Sequence, residues 1–170
     1  MDLKTQIRHI PDFPKPGILF YDITTLLRDP AGFRATIDAL AAPYQRRDVD
    51  VVVGIESRGF ILGAAVALRL GAGFVPIRKP GKLPSKTRKE TYALEYGSDA
   101  LEIHEDAVVA GQRVLIVDDV LATGGTAAAA TKLVRDSGGT LQGLAFLLEL
   151  GFLDGRAKLP GEQVFSVLQY

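Results

Sequence analysis

An α/β fold, with a central mostly parallel sheet flanked by helices, is the class this sequence predicts, and three observations carry it. Short apolar, β-branched runs at 51–55, 74–77, 114–117 and 144–148 have the length of buried strands. Between several of them lie segments whose apolar residues recur at spacings of three and four, the period of a helix packed on one face. Glycine and proline clusters punctuate the joins. Core strands alternating with helices imply crossovers that lay the strands parallel, and residues 1–170 read as one domain.

Residues 10–22 (Ile-Pro-Asp-Phe-Pro-Lys-Pro-Gly-Ile-Leu-Phe-Tyr-Asp) are too rich in proline for a helix and read as an extended loop with a short strand. Asp29-Pro30 opens a helix, Asp as the cap and Pro in the first turn, with Phe33, Ile37, Leu40, Ala41 and Tyr44 on its buried face. Strand 51–55 leads into a helix over 59–70, stopped by Gly71 and Gly73, and then strand 74–77. Residues 79–90 read as a polar loop bearing Lys79, Lys82, Lys86, Arg88 and Lys89. Residues 91–96 and 100–104 form a hairpin turning at Gly97-Ser98. Strand 114–117, a helix through Arg135, a break at Gly138-Gly139, strand 144–148 and a late strand at 164–168 complete the chain.

The run Val-Leu-Ile-Val-Asp-Asp-Val-Leu-Ala-Thr-Gly-Gly-Thr (114–126) carries most of the chemistry. A buried strand ends on Asp118 and Asp119. Ala122, Thr123, Gly124, Gly125 and Thr126 then form a small-residue turn into an alanine-rich helix. Glycines let several N–H groups converge there, and the helix dipole adds partial positive charge, which suits a phosphate. The two acids are acceptors for a pair of sugar hydroxyls. Together they describe a site for a ribose 5-phosphate, whereas each half alone is an ordinary strand end or an ordinary capped turn. The run has neither the Walker lysine nor the Gly-x-Gly-x-x-Gly spacing. Gly124→Val is expected to leave the chain folded while blocking the phosphate. A second loop, Glu56-Ser57-Arg58-Gly59, sets an arginine beside glycine at a helix start: an oxyanion clamp, or an arginine capping local carbonyls, with equal weight.

The 114–126 run resembles the signature for phosphoribosyl pyrophosphate (PRPP) binding in type I phosphoribosyltransferases. Four further blocks are similar to the adenine phosphoribosyltransferase family in particular. They are Pro-Asp-Phe-Pro-x-Pro-Gly-Ile-Leu-Phe-x-Asp-Ile-Thr from Pro11, Gly-Ile-Glu-Ser-Arg-Gly-Phe from Gly54, Arg-Lys-Pro-Gly-Lys-Leu-Pro from Arg78 with Leu-Glu-Tyr-Gly from Leu94, and Phe-Ser-Val-Leu-Gln-Tyr from Phe165. The resemblance covers almost the whole chain. It implies the type I phosphoribosyltransferase fold, with a small N-terminal hood and base-binding segment (1–30) and a mobile catalytic loop (79–96). It implies purine salvage, forming AMP and pyrophosphate from adenine and PRPP, with Mg²⁺ carried mainly by the substrate's oxygens and no metal-ligating residues of its own. It assigns Glu95 and Arg58 to catalysis and Glu56, Ser57, Arg58, Arg78, Lys79, Lys82 and Tyr96 to pyrophosphate. Leu19, Phe20, Tyr21 and Val120 go to adenine, with Phe20 stacking. It suggests a non-proline cis peptide in the Glu56–Ser57 loop and a homodimer, and the composition fits a cytoplasmic enzyme. Tyr21 departs from the family, where many members carry arginine.

The composition agrees with an enzyme of this kind. Twenty basic residues balance twenty acidic ones, so neither a nucleic-acid nor a membrane partner is expected. With no cysteine, thiolate catalysis and zinc–thiolate sites are excluded. No apolar run nears the roughly 18 residues a membrane span requires, and the N-terminus has no signal-peptide core. His9 and His104 stand apart and read as structural or solvated. Three alternatives remain open: transfer to another base (xanthine, hypoxanthine or orotate), a non-catalytic PRPP-sensing regulator on the same fold, and an unrelated sugar-phosphate binding module.

Overall fold

A computed structural model describes residues 1–94 and 96–170. Its centre is a five-stranded sheet of β3 (Val51–Ile55), β4 (Gly73–Ile77), β7 (Arg113–Leu121), β8 (Thr140–Glu149) and β9 (Val164–Gln169). The order is β4-β3-β7-β8-β9, and every neighbouring pair runs parallel. Two antiparallel hairpins stand apart from it: β1 (Arg8–Pro11) with β2 (Leu19–Asp22), and β5 (Thr87–Ala93) with β6 (Ser98–His104).

Both faces of the sheet are covered, which is why its strands read as continuous apolar runs. Side-chain alternation divides them between two cores. Val51, Val53, Val114, Ile116, Leu144 and Phe146 pack with Leu101 and Ile103 of β6 and with α4 (Gly125–Asp136). Val52, Leu115, Val117, Ala145 and Leu147 pack with α2 (Pro30–Ala41) and α3 (Arg58–Leu70). Helix α2 begins as its sequence dictates: the Asp29 carboxylate accepts the Gly32 N–H at 2.8 Å, and Pro30 fills the first turn. Gly71 caps α3 at φ 70°, in the left-handed region where glycine costs nothing.

Several boundaries differ from the sequence reading. The polar loop after β4 is shorter than expected, because residues 87–90 already belong to β5. That strand is polar on both faces and is held by its partner β6, so no apolar alternation marks it. Gly73 starts β4 and does not belong to the stop of α3. Strand β7 continues through Asp118 and Asp119 to Leu121, and β8 spans residues 140–149. A four-residue helix, α1 (Thr24–Leu27), and several single 3₁₀ turns, among them Gly155–Lys158, had no periodic signal at all.

Candidate active site

A cavity of about 220 Å³ opens beyond the carboxyl ends of β3 and β7, where ligands of open parallel sheets bind. Its wall is formed by residues 55–58 and 118–124, with Lys79, Leu101, Thr126, Ala127 and Phe146.

Asp118 and Asp119 are both buried, and so are not the solvated end of a strand. Asp118 Oδ1 accepts the Asp119 N–H at 2.9 Å. Burial, followed by the neighbouring charge of Asp119, pushes the Asp118 carboxyl well above its ordinary range. Arg58, the first residue of α3, donates from Nε to Asp119 Oδ2. Partial burial works against the Arg58 charge, but the Asp119 carboxylate outweighs it and raises the guanidinium pKa. The next residue explains the close approach of α3 to β7. A Cβ at Gly59 would stand 2.7 Å from Asp118 Oδ1.

The turn after β7 is a cradle, as its sequence suggested. Gly124 adopts φ 91° and precedes the first residue of α4. Thr123, Gly124, Thr126 and Ala127, around the start of that helix where backbone N–H groups lack intrahelical partners, line the cavity. Gly124 meets a further constraint: a Cβ there would lie 2.4 Å from the carbonyl oxygen of Gly155. The expectation that Gly124→Val spares the fold is therefore overturned. Gly125 lines an adjoining cleft with Tyr92 and Lys158 rather than the main cavity.

The cations are organised by carboxylates. Glu56 accepts from Arg78 Nε and the Lys79 N–H, each at 3.1 Å, and from Lys82 Nζ. Partial burial opposes its ionisation, yet these donors hold its pKa below the ordinary value, Lys82 contributing most. Lys79 Nζ pairs with Asp99 of β6. The Glu56–Ser57 peptide is cis, as the resemblance implied. Lys79 lines the cavity, whereas Arg78 and Lys82 reach it only by way of Glu56. Tyr96 is 85% exposed and lies outside the wall. Glu95 lies outside the described residues.

Of the four residues expected around the base, only Val120 lines the cavity. Phe20 meets Phe13 edge-on at 5.2 Å, and the Arg58 guanidinium lies 5.7 Å from its ring centre. Leu19 is exposed beside it in β2. The Tyr21 ring is engaged elsewhere, 4.2 Å from Tyr170 and edge-on to His9 at 5.0 Å. His9 is exposed on β1, with its ring edge-on to Tyr21 and Tyr170. Asp99, Tyr92 and Gly155 were missed by sequence reasoning; only the placing of the hairpin and of the 155–158 turn brings them to the site.

Comparison with known proteins bears on this geometry directly. A family model described as phosphoribosyl transferase domain matches residues 22–158. The adenine phosphoribosyltransferase of Solibacter usitatus is 62% identical over 169 residues, 99% of this chain and 98% of its own. The chain belongs to the adenine phosphoribosyltransferase family. Solved adenine phosphoribosyltransferases share its architecture. That of Thermoanaerobacter pseudethanolicus matches with a TM-score of 0.97 and 54% identity, over 99% of this chain and 98% of the other. That of Saccharomyces cerevisiae, complexed with an imino-altritol bisphosphate and adenine, matches with a TM-score of 0.93 and 47% identity, over 98% and 97%. The adenine phosphoribosyltransferase fold expected from the sequence is thus the fold of this chain, a five-stranded parallel sheet flanked by helices.

Proposed function

We infer that the protein is an enzyme of purine salvage that transfers the phosphoribosyl group of PRPP to adenine, giving AMP and pyrophosphate. One observation carries the reading: a buried acid pair, a glycine-rich helix start and an arginine converge on a single cavity of about 220 Å³. The membership of the family supports the choice of base.

Each group has a task that follows from its chemistry. Asp118 and Asp119 accept from the ribose hydroxyls. Residues 122–126 donate backbone and hydroxyl hydrogens to the 5-phosphate, Thr123 and Thr126 supplying the hydroxyls. The bond from the anomeric carbon to pyrophosphate breaks as a ring nitrogen of adenine bonds to that carbon. The negative charge leaving on pyrophosphate is met by Arg58, Lys79 and Ser57, with Lys82 and Arg78 behind them. Glu56 serves by holding these cations in place. Arg58 pairs with Asp119, a partner that substrate binding would exchange for substrate oxygens. Phe20 offers a face to the purine, Leu19 and Val120 its apolar edges, and the backbone of Tyr21 a polar contact. Glu95 takes the proton that the purine nitrogen sheds.

Mg²⁺ fits this donor set as a passenger of the substrate. No group of three His, Cys, Asp or Glu side chains converges among the described residues, so phosphate and ribose oxygens would hold the ion, with Asp118 and Asp119 nearby. When bound it would neutralise charge on the departing pyrophosphate. A homodimer in the cytoplasm completes the reading; among the described residues no helix is long and apolar enough to cross a membrane.

The test is incubation with PRPP, Mg²⁺ and each base in turn, with assays for nucleotide and pyrophosphate. Adenine alone should give rapid turnover, since backbone acceptors suited to a 6-amino group oppose the oxygen of a 6-oxo purine. Comparable turnover of hypoxanthine or guanine would overturn the assignment of the base.

A further inference from the structure

A chain of side chains runs behind the cavity wall, from the basic loop to the phosphate cradle, and the transfer chemistry above makes no use of it. Lys79 Nζ donates to Oδ2 of Asp99. The hydroxyl of Tyr92, directly opposite Asp99 in the β5–β6 register, reaches the same Oδ2 at 3.4 Å. On its other side that hydroxyl lies 3.2 Å from Thr126 Oγ1. Asp99 Oδ1 is occupied separately by the Ala100 N–H at 2.8 Å. Lys79 and Thr126 line the cavity, whereas Tyr92 and Asp99 do not. The Tyr92 ring rests on the cradle because position 125 has no side chain: a Cβ there would stand 3.2 Å from Tyr92 Cδ2.

The two hydroxyls make this chain directional, because each has one hydrogen to give. The Tyr92 hydroxyl gives its hydrogen to Asp99 Oδ2, which it shares with Lys79, and is left to accept that of Thr126. A phosphate accepts hydrogen bonds and at neutral pH gives few or none. Once it takes the Thr126 hydrogen, Thr126 Oγ1 is left as an acceptor and Tyr92 turns to donate to it. Asp99 Oδ2 then belongs to Lys79 alone. The ammonium is fixed at the cavity wall with its other hydrogens free for a second anion. We propose that Tyr92 and Asp99 are positioning residues that couple occupancy of the 5-phosphate cradle to the placement of Lys79 for pyrophosphate. The charge relations are consistent with it. The Lys79 hydrogen bond, followed by that from Ala100, holds the Asp99 carboxyl below its ordinary pKa.

The proposal rests on the assignment of the two anion subsites above, and the experiment separates the two. Calorimetry on the full chain at fixed Mg²⁺ measures pyrophosphate affinity with and without saturating ribose 5-phosphate. The ratio of the two affinities is the coupling between sites. Direct repulsion between the anions is common to all variants and cancels when ratios are compared. Tyr92→Phe keeps the ring on Gly125 and removes the switching hydroxyl. It should fold normally, bind each ligand, and lower the ratio about 2- to 10-fold, the range one hydrogen bond supplies. Asp99→Asn should lower it similarly, and the double variant no further. An unchanged ratio in Tyr92→Phe, or additive losses in the double variant, would overturn the relay while leaving the subsites intact. Wild-type protein that binds neither ligand would remove the subsite assignment and the relay with it.

Discussion

Asp118 concentrates the conflict between folding and function at a single residue. Its carboxyl is buried beside Asp119, so its folded pKa lies above that of the unfolded chain. As pH rises past about 4 the unfolded chain releases this proton while the folded chain retains it, and stability falls until the folded pKa is passed. Asp118→Asn removes the penalty and still accepts the Asp119 N–H. It should therefore raise the Tm, by about 2–4 °C per kcal/mol relieved, while weakening PRPP binding by roughly 1.5–3 kcal/mol for the lost charged contact. Scanning calorimetry and PRPP titration on one preparation test both halves; a lower Tm at pH 7.5 would show that the ionised pair is not a burden. Asp22 has the opposite sign. Hydrogen bonds from Thr24, then Arg8, lower its pKa to about 2. It stabilises the fold above the unfolded pKa, and this is lost as pH falls from about 4 towards 2. Asp22→Asn should flatten the acid limb of the stability curve there and lower the plateau near neutrality, where the ionised carboxylate contributes in full. Glu95→Gln should lower kcat by roughly 10²–10⁴ with substrate binding nearly unchanged. Equal kcat at saturating substrates, with chemistry rate-limiting, would make Glu95 an ordinary surface acid.

At the scale of elements, the cradle depends on a turn that the sequence barely advertises. Gly124 holds φ 91° with the Gly155 carbonyl where its Cβ would be. Gly125 has no such φ, and its nearest neighbour is the Tyr92 ring. Gly124→Ala should thus cost roughly 1–3 kcal/mol or more in denaturant unfolding, whereas Gly125→Ala should stay within about 1 kcal/mol. Equal losses at both positions would deny the cradle its backing by the 155–158 turn. The same contrast shows what the sequence could disclose. Strands β3, β7 and β8 announced themselves because burial on both faces leaves only apolar side chains. Asp118, Asp119 and the cradle were legible because their spacing behind such a strand has few other uses. The β5 strand at 87–90 was not, since it is polar on both faces and exists by pairing with β6. Nor was the approach of Tyr92 to Thr126 or the packing of Gly155 behind Gly124, because contacts across 34 and 31 positions have no local period. Resemblance supplied Glu56, Ser57 and the cis peptide, which composition and spacing left open.

Across the whole molecule, the site is assembled from parts of unequal anchorage. The five-stranded sheet is clamped between two apolar cores, while the β1–β2 and β5–β6 hairpins contribute Phe20, Tyr92 and Asp99 from outside it. A ligand bridging these parts stabilises them in proportion to its occupancy. Hydrogen exchange should accordingly slow most at residues 87–94 and 19–22 when PRPP and Mg²⁺ are added, and hardly at all in β3 and β8, already protected by the core. Uniform slowing would mean that the hairpins open only with the global fold.

The close approach of Gly124 to Gly155 also constrains how the gene can vary. A Cβ at 124 meets the Gly155 carbonyl oxygen, and a Cβ at 155 would stand 2.5 Å from the Ala122 carbonyl oxygen. In both cases the obstacle is main chain, which no codon change can trim. A defect at either glycine therefore has no second-site suppressor among its neighbours, and a selection for revertants should return glycine itself.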